Sequence, residues 1–152
     1  MLYSIELSTP CHARLLAKSL RAGDRAEIEG AGLTPQRAIW RSFKRSLLPA
    51  KTAFVGGEIA AMWGLGGDML SEVGVPWILT APAVERVPIA LVKESRQDIA
   101  EWLSFKRRLE NWCAADYGAA VRFWTFQGFT FGEPEPLGPK GHLFRKFWME
   151  RA

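Results

Sequence analysis

The chain has 152 residues, 48% of them hydrophobic and 24% charged. That balance suits one folded domain with a sizeable core and excludes a largely disordered chain. Twenty Lys and Arg against sixteen Asp and Glu leave a net charge of +4, too mild by itself to argue for nucleic acid. No apolar run approaches the roughly 20 residues that span a bilayer, so membrane insertion is not expected. MLYSIELSTP lacks the positive flank and apolar stretch of a signal peptide. The two cysteines, Cys11 and Cys113, make neither a metal-ligand spacing nor a disulfide framework, and they point to a reducing cytoplasm.

Tyr3 to Leu7 alternates and reads as a first strand. Thr9 and Pro10 then open a helix that Leu15, Leu16 and Leu20 carry to about Arg21. Asp24 reads as the cap of a short second helix through Ile28, stopped by Gly30 and Gly32. Thr34-Pro35 repeats the cap signal, and Ala38, Ile39, Phe43 and Leu47 form the apolar stripe of a third helix. Arg37, Arg41, Lys44 and Arg45 lie mostly on its solvent side.

The period then changes. Thr52–Val55 and Ile59–Trp63 are strand-like runs, joined at Gly56-Gly57 in a tight hairpin. Gly64, Gly66 and Gly67 are expected to end the second run, and Pro76–Thr80 reads as a short buried strand. A helical pattern fills Pro88 to Leu109, and a brief strand fits Glu110 to Ala115. Asp116 is the expected cap of a helix that runs to Gln127 and stops at Gly128. Phe129–Phe131 reads as a strand, Glu133–Gly141 as a turn-rich loop and Leu143–Met149 as a last strand. The order implies an α/β (α+β) domain with a mixed sheet and helices on both faces.

The second half resembles the GNAT-type N-acetyltransferases. Its order of strand, long helix, short strand, helix ending in Gly-Phe and terminal hairpin is theirs, and Thr52–Trp63 resembles their central hairpin. Ala120, Phe123, Gly128 and Phe129 fit their closing helix, in which an Asn precedes Ala by three, followed by Leu-Tyr and Gly-Phe. Phe147-Trp148-Met149-Glu150 resembles the last strand of that fold. A narrower likeness covers nearly the whole chain. Asp24 to Gly32, Gly57 to Gly64, Pro76-Trp77-Ile-Leu-Thr80 and Gly128-Phe129 are similar to a GNAT-like phage family, known from internal virion or morphogenesis proteins of T7-like podophages. The resemblance implies a mostly antiparallel central sheet, and acetyl-CoA or CoA as the ligand if one is retained. It also implies phage virion or assembly proteins, a host protein or further copies of the chain as partners. The host cytoplasm or the virion would be the location.

The family holds the pyrophosphate on an Arg/Gln-x-x-Gly-x-Gly/Ala loop that opens the long helix. Here that stretch is Ala81-Pro-Ala-Val-Glu-Arg86-Val-Pro88, without glycine. Pro82 and Pro88 each remove a donor, and Glu85 adds a negative charge where an anion should sit. The Tyr that serves as acid in the family falls on Trp124, whose indole does not ionise near neutral pH. The family's Asn position falls on Tyr117, or on Asp116 if one residue is inserted; Tyr117 could donate from a shifted site, and Glu58 lies on the side from which the base often comes. If coenzyme binds, the resemblance places it beside Leu79 and Thr80, with Arg86 near its phosphates. The expected function is therefore a degenerate, non-catalytic GNAT fold acting through protein contacts in a virion or its assembly. The alternative is an active acyl-CoA-dependent N-acyltransferase of a host protein or small amine.

The remaining candidates read more plainly. His12 and His142 are expected at the surface, and Cys113 as a buried small hydrophobe. Lys106-Arg107-Arg108 suits the negative end of the long helix better than an RNA patch. Most aromatics, Trp77, Trp102, Trp112, Phe123, Trp124, Phe126, Phe129 and Phe131 among them, are expected in the core. Phe144, Phe147 and Trp148, beside Arg145 and Lys146, are the expected interface. No metal site is expected.

Overall fold

A computed structural model describes residues 2–152. Its seven strands are β1 (Tyr3–Leu7), β2 (Lys51–Val55), β3 (Glu58–Gly66), β4 (Val73–Thr80), β5 (Arg108–Ala114), β6 (Thr130–Leu137) and β7 (His142–Glu150). They form one sheet in the order β1-β2-β3-β4-β5-β7-β6. Every neighbouring pair is antiparallel except β4–β5. The five helices are α1 (Pro10–Lys18), α2 (Ala22–Gly30), α3 (Pro35–Lys44), α4 (Pro88–Phe105) and α5 (Gly118–Gln127). Leu16, Ile28 and Ile39 of α1 to α3 pack with Met62, Trp77 and Leu79 on one face of the sheet. Leu91, Ile99, Trp102 and Trp124 of α4 and α5 pack with Trp63, Leu109 and Phe147 on the other. The mixed fold with helices on both faces is as the sequence implied. Among the described residues no helix is long and apolar enough to cross a membrane.

Local signals account for many of the boundaries. Thr9 accepts from the His12 amide while the His12 ring reaches back to the Thr9 amide, a capping box that starts α1. Thr34 caps α3 by accepting from the Arg37 amide. Gly56 and Gly57 both take positive φ, 55° and 83°, which the two-residue hairpin requires.

Other boundaries differ from the sequence reading, each for a packing reason. β3 runs on through Gly64 to Gly66, because Gly64 serves as a flat seat for Trp77; a Cβ there would lie 3.0 Å from the indole nitrogen. α4 stops at Phe105 rather than Leu109. Lys106 follows it in extended backbone and is buried, its ammonium donating to the carbonyls of Asp68, Met69 and Ser71. It pins the β3–β4 loop instead of balancing the helix dipole, and Arg108 already belongs to β5. The stretch from Glu133 is strand as far as Leu137. β6 is an edge strand, where Pro134 and Pro136 need not donate to a further neighbour.

Candidate functional site

The site begins with a proline. β4 and β5 pair only at Val73↔Arg108 and Gly74↔Leu109. The next β4 residue facing β5 is Pro76, which has no N–H to continue the ladder, and the strands part there. Asn111 wedges the gap: its side-chain amide donates to the Pro76 carbonyl at 2.8 Å, and its side-chain oxygen accepts from the Trp112 amide. Backbone direction alternates along a strand, and the carbonyls of both Pro76 and Thr80 are used on the β5 side. Ile78, between them, therefore turns its N–H and C=O into the gap. A cavity of about 270 Å³ opens at this splay, with Ile78, Thr80, Leu91, Trp124 and Phe147 among its lining.

The open end of the splay is laced together by α2. Thr80, at the tip of β4, donates its hydroxyl to Asp24 Oδ2. Tyr117, just past β5, donates to the same oxygen at 2.9 Å. Arg21 donates from its backbone to the Thr80 carbonyl and from Nε to the Thr80 hydroxyl, both at 2.9 Å. Glu27 Oε2 accepts from the Ala114 amide at the tip of β5 at 2.7 Å. One short helix thus grips both lips. Gly23 makes room for this, since a Cβ there would lie 2.2 Å from the Tyr117 ring.

Burial sets the chemistry of these groups. It raises the Asp24 carboxyl above its ordinary range, against the opposing bonds from Thr80 and Tyr117 and the charge of Arg21. Burial pushes Glu27 up to about 7, helped by the charge of Asp24. Burial also raises the Tyr117 phenol and the Cys113 thiol, so both keep their protons at neutral pH. Glu27 is the group that exchanges a proton near pH 7. Cys113 is the buried thiol that the sequence implied, and it is no nucleophile.

The connection from β4 to α4 is built differently. Pro82–Arg86 forms a 3-10 turn that buries Ala83 and Val84. Arg86 is paired with Glu58 at 2.9 Å, and Glu85 lies 3.8 Å from Arg21. α4 opens at Pro88 with no side-chain cap, and Ile89 stands 83% exposed in its first turn. A diphosphate approaching this helix tip would meet two carboxylates, a proline and an isoleucine, with Arg86 already engaged. These residues do not fit the group.

The residues singled out from the sequence separate accordingly. Tyr117 and Thr80 meet at the lips of the splay. Leu79 packs in the core under α1 to α3 and also lines the splay cavity. Glu58 and Arg86 find each other beyond the end of β4. Of the three expected interface aromatics, Phe144 is 4% and Phe147 1% exposed. Phe147 stacks on Trp124 and Phe131 inside the chain, which leaves Trp148, beneath the Arg108 guanidinium, half-buried. His12 is buried rather than on the surface, because its ring shares a hydrogen bond with Thr52 that ties α1 to β2. His142 is half-buried, 3.4 Å from Asp116. Asp116 does not cap α5; Tyr117 holds that position. Phe126 is exposed, under Arg96. The acids missed in the sequence are Asp24, a core residue of α2 rather than its cap, and Glu27. Their signal was the i, i+3 spacing of two carboxylates on a nine-residue helix with little apolar surface of its own.

The chain superposes on solved structures over almost its whole length. The chain has the GNAT acetyltransferase fold. It is similar to Ard1 from Thermoplasma volcanium, with a TM-score of 0.74 and 13% identity over 100% of this chain and 99% of that one. A GNAT-family acetyltransferase from Streptococcus pneumoniae gives 0.69 and 16%, over 99% and 100%. A Bacillus subtilis acetyltransferase in complex with CoA gives 0.68 and 11%, over 99% and 100%. No protein-family model matches the chain, and no curated protein sequence matches it.

Proposed function

We propose that the chain is a GNAT-fold protein that works by binding rather than by acyl transfer, in the structure or assembly of a phage particle. The observation that carries the loss of catalysis is the tip of α4. Where the fold offers bare backbone to a diphosphate, this chain offers Pro88, an exposed Ile89 and the carboxylates of Glu58 and Glu85. The α2 lacing adds to it, since Asp24 already uses the Tyr117 phenol that a departing thiolate would need. The phage setting rests on the sequence resemblance, with other virion or assembly proteins, or a host protein, as partners.

The second reading, an acyl-CoA-dependent N-acyltransferase, is favoured by one feature: Glu27, with its pKa raised to about 7, and the protonated Tyr117 phenol both line the splay cavity. Related folds have been solved with CoA, and that ligand is the one to test. The deciding measurement is thermal unfolding with and without acetyl-CoA at millimolar concentration. Binding at a hundred times Kd would add about 2.7 kcal/mol and raise Tm by several degrees. We expect no change; a saturable rise accompanied by release of free CoA in the presence of an amine would establish the second reading. Finding the chain in purified particles by mass spectrometry supports the assembly role, and its absence from both particles and assembly intermediates counts against it.

A further inference from the structure

The sheet ends in β1 on one side and β6 on the other, and the chain treats these edges differently. β6 is blunted by Pro134 and Pro136, which have no N–H to offer a further strand. β1 carries no proline and a single charge, Glu6. Nothing covers it: Ser4 and Glu6 are exposed, and so are Leu2 just before the strand, 86% open to solvent, and Leu7 at its end, 63% open.

The hydrogen bonds tell which backbone groups face outward. The Gly56 amide donates to the Leu2 carbonyl and the Ser8 amide to the Ala50 carbonyl, so the even residues of β1 turn their backbone toward β2. By the alternation along an antiparallel pair, Tyr3, Ile5 and Leu7 turn their N–H and C=O away from it. None of these outward groups has a partner among the described residues. The side chains divide the same way. Tyr3 and Ile5 pack on the core at the α4 side, where the Tyr3 hydroxyl donates to Glu94, and Leu7 borders a groove with Trp63 and Trp102. Ser4 and Glu6 stand on the other face, with Glu6 3.9 Å from His12 of α1.

A strand of this pattern complements itself. Laid antiparallel around a two-fold axis through Ile5, it sets Tyr3 opposite Leu7, Ile5 opposite Ile5 and Ser4 opposite Glu6 of a second copy. The outward N–H and C=O groups then meet as hydrogen-bonded pairs, whereas a shift of one residue would set outward groups against inward ones. In this register Leu7 covers the Tyr3 ring of the other copy, and neither Glu6 faces a like charge.

We infer that β1 is a self-pairing edge through which two copies of the chain join their sheets in an isologous contact. The edge is short, so the dimer is weak and fills only at high concentration. It uses no residue of the splay or of the α4 tip, and it is independent of acyl transfer.

The test is sedimentation equilibrium of the full chain from micromolar to millimolar concentration at low ionic strength, with NMR amide exchange at both ends of the range. The mass should rise toward twice that of the monomer. The Ile5 and Leu7 amides should be protected only in the concentrated sample, and those of Ser4 and Glu6, bonded to β2, in both. Ser4 is exposed, so its variants leave the fold intact. Ser4→Lys places a cation opposite Glu6 of the other copy, twice by symmetry, and should lower Kd by about fivefold; Ser4→Glu should raise it by about as much. Leu7→Pro deletes an outward N–H and no bond to β2, and should keep the chain monomeric throughout. A chain that stays monomeric at millimolar concentration would overturn the assignment and leave the edge to an extended segment of another protein. So would a dimer whose Kd does not move in opposite directions in the two Ser4 variants, or one in which the Ile5 and Leu7 amides exchange freely, for the copies would then meet elsewhere.

Discussion

The two ends of the candidate site contrast sharply. At the splay, Asp24 is buried and Glu27 partly so, and their bonds cross from one lip to the other: Asp24 to Thr80 and Tyr117, Glu27 to Ala114. At the tip of α4, about one turn beyond, the charged groups are exposed and pair with nearby side chains, Arg86 with Glu58 and Glu85 with Arg21. The splay keeps the cavity of an acetyltransferase fold but uses its polar groups to hold the molecule together. The helix tip presents two carboxylates, a proline and an exposed isoleucine. Polar groups a few residues apart are thus put to different uses, and where their hydrogen bonds go tells the two regions apart.

If the lacing is structural, cutting it is costly. Asp24→Ala removes the acceptor of both Thr80 and Tyr117 and leaves Arg21 beside an apolar gap. A loss of about 2–4 kcal/mol is expected in urea unfolding. A loss below about 1 kcal/mol would mean that the lips are held by packing alone.

The next effect concerns pH. The folded-state pKa of Glu27, about 7, lies above its ordinary 4.5. Between those values the folded chain holds a proton that the unfolded chain has released. Stability from this group is thus full below about pH 4.5, falls as pH rises to about 7 and then levels off. Asp24, also raised by burial, contributes with the same sign. A decline on the order of 1–3 kcal/mol is expected between pH 5 and 8, read as a falling Tm, and Glu27→Gln should flatten it. A profile as steep in the variant as in the parent would place the titration elsewhere.

At the tip of α4 the expected effect is smallest. Glu58→Gln breaks an exposed pair with Arg86 and should change stability by less than about 1 kcal/mol. A larger loss would erase the contrast between the two regions.

Much of the fold was legible because its signals are local. The caps at Thr9 and Thr34, the Gly56-Gly57 turn and the Gly128 stop each state a backbone conformation that neighbouring residues satisfy. Even the splay had a written sign in Pro76, a proline where a central strand needs a donor. The candidate site was only half legible. Tyr117 and Thr80 were singled out and do meet, but Asp24 was read as a cap, because a short acid before an apolar run looks the same whether its partner is the next turn or another strand. Lys106 looked like a dipole partner for the same reason, and its three carbonyls lie more than thirty residues away in sequence.

By itself, then, the sequence determined the mixed α/β layout, the starts of α1 and α3, the tight hairpin and the absence of glycine between β4 and α4, all of which depend on residues within a few positions of one another. Only the tertiary structure decided that α2 bridges the parted strands, that Phe144 and Phe147 face inward and that Lys106 is buried on the β3–β4 loop. Those outcomes depend on which distant side chains come to share a dry or charged space, and pairing across that distance is set by packing rather than by spacing along the chain.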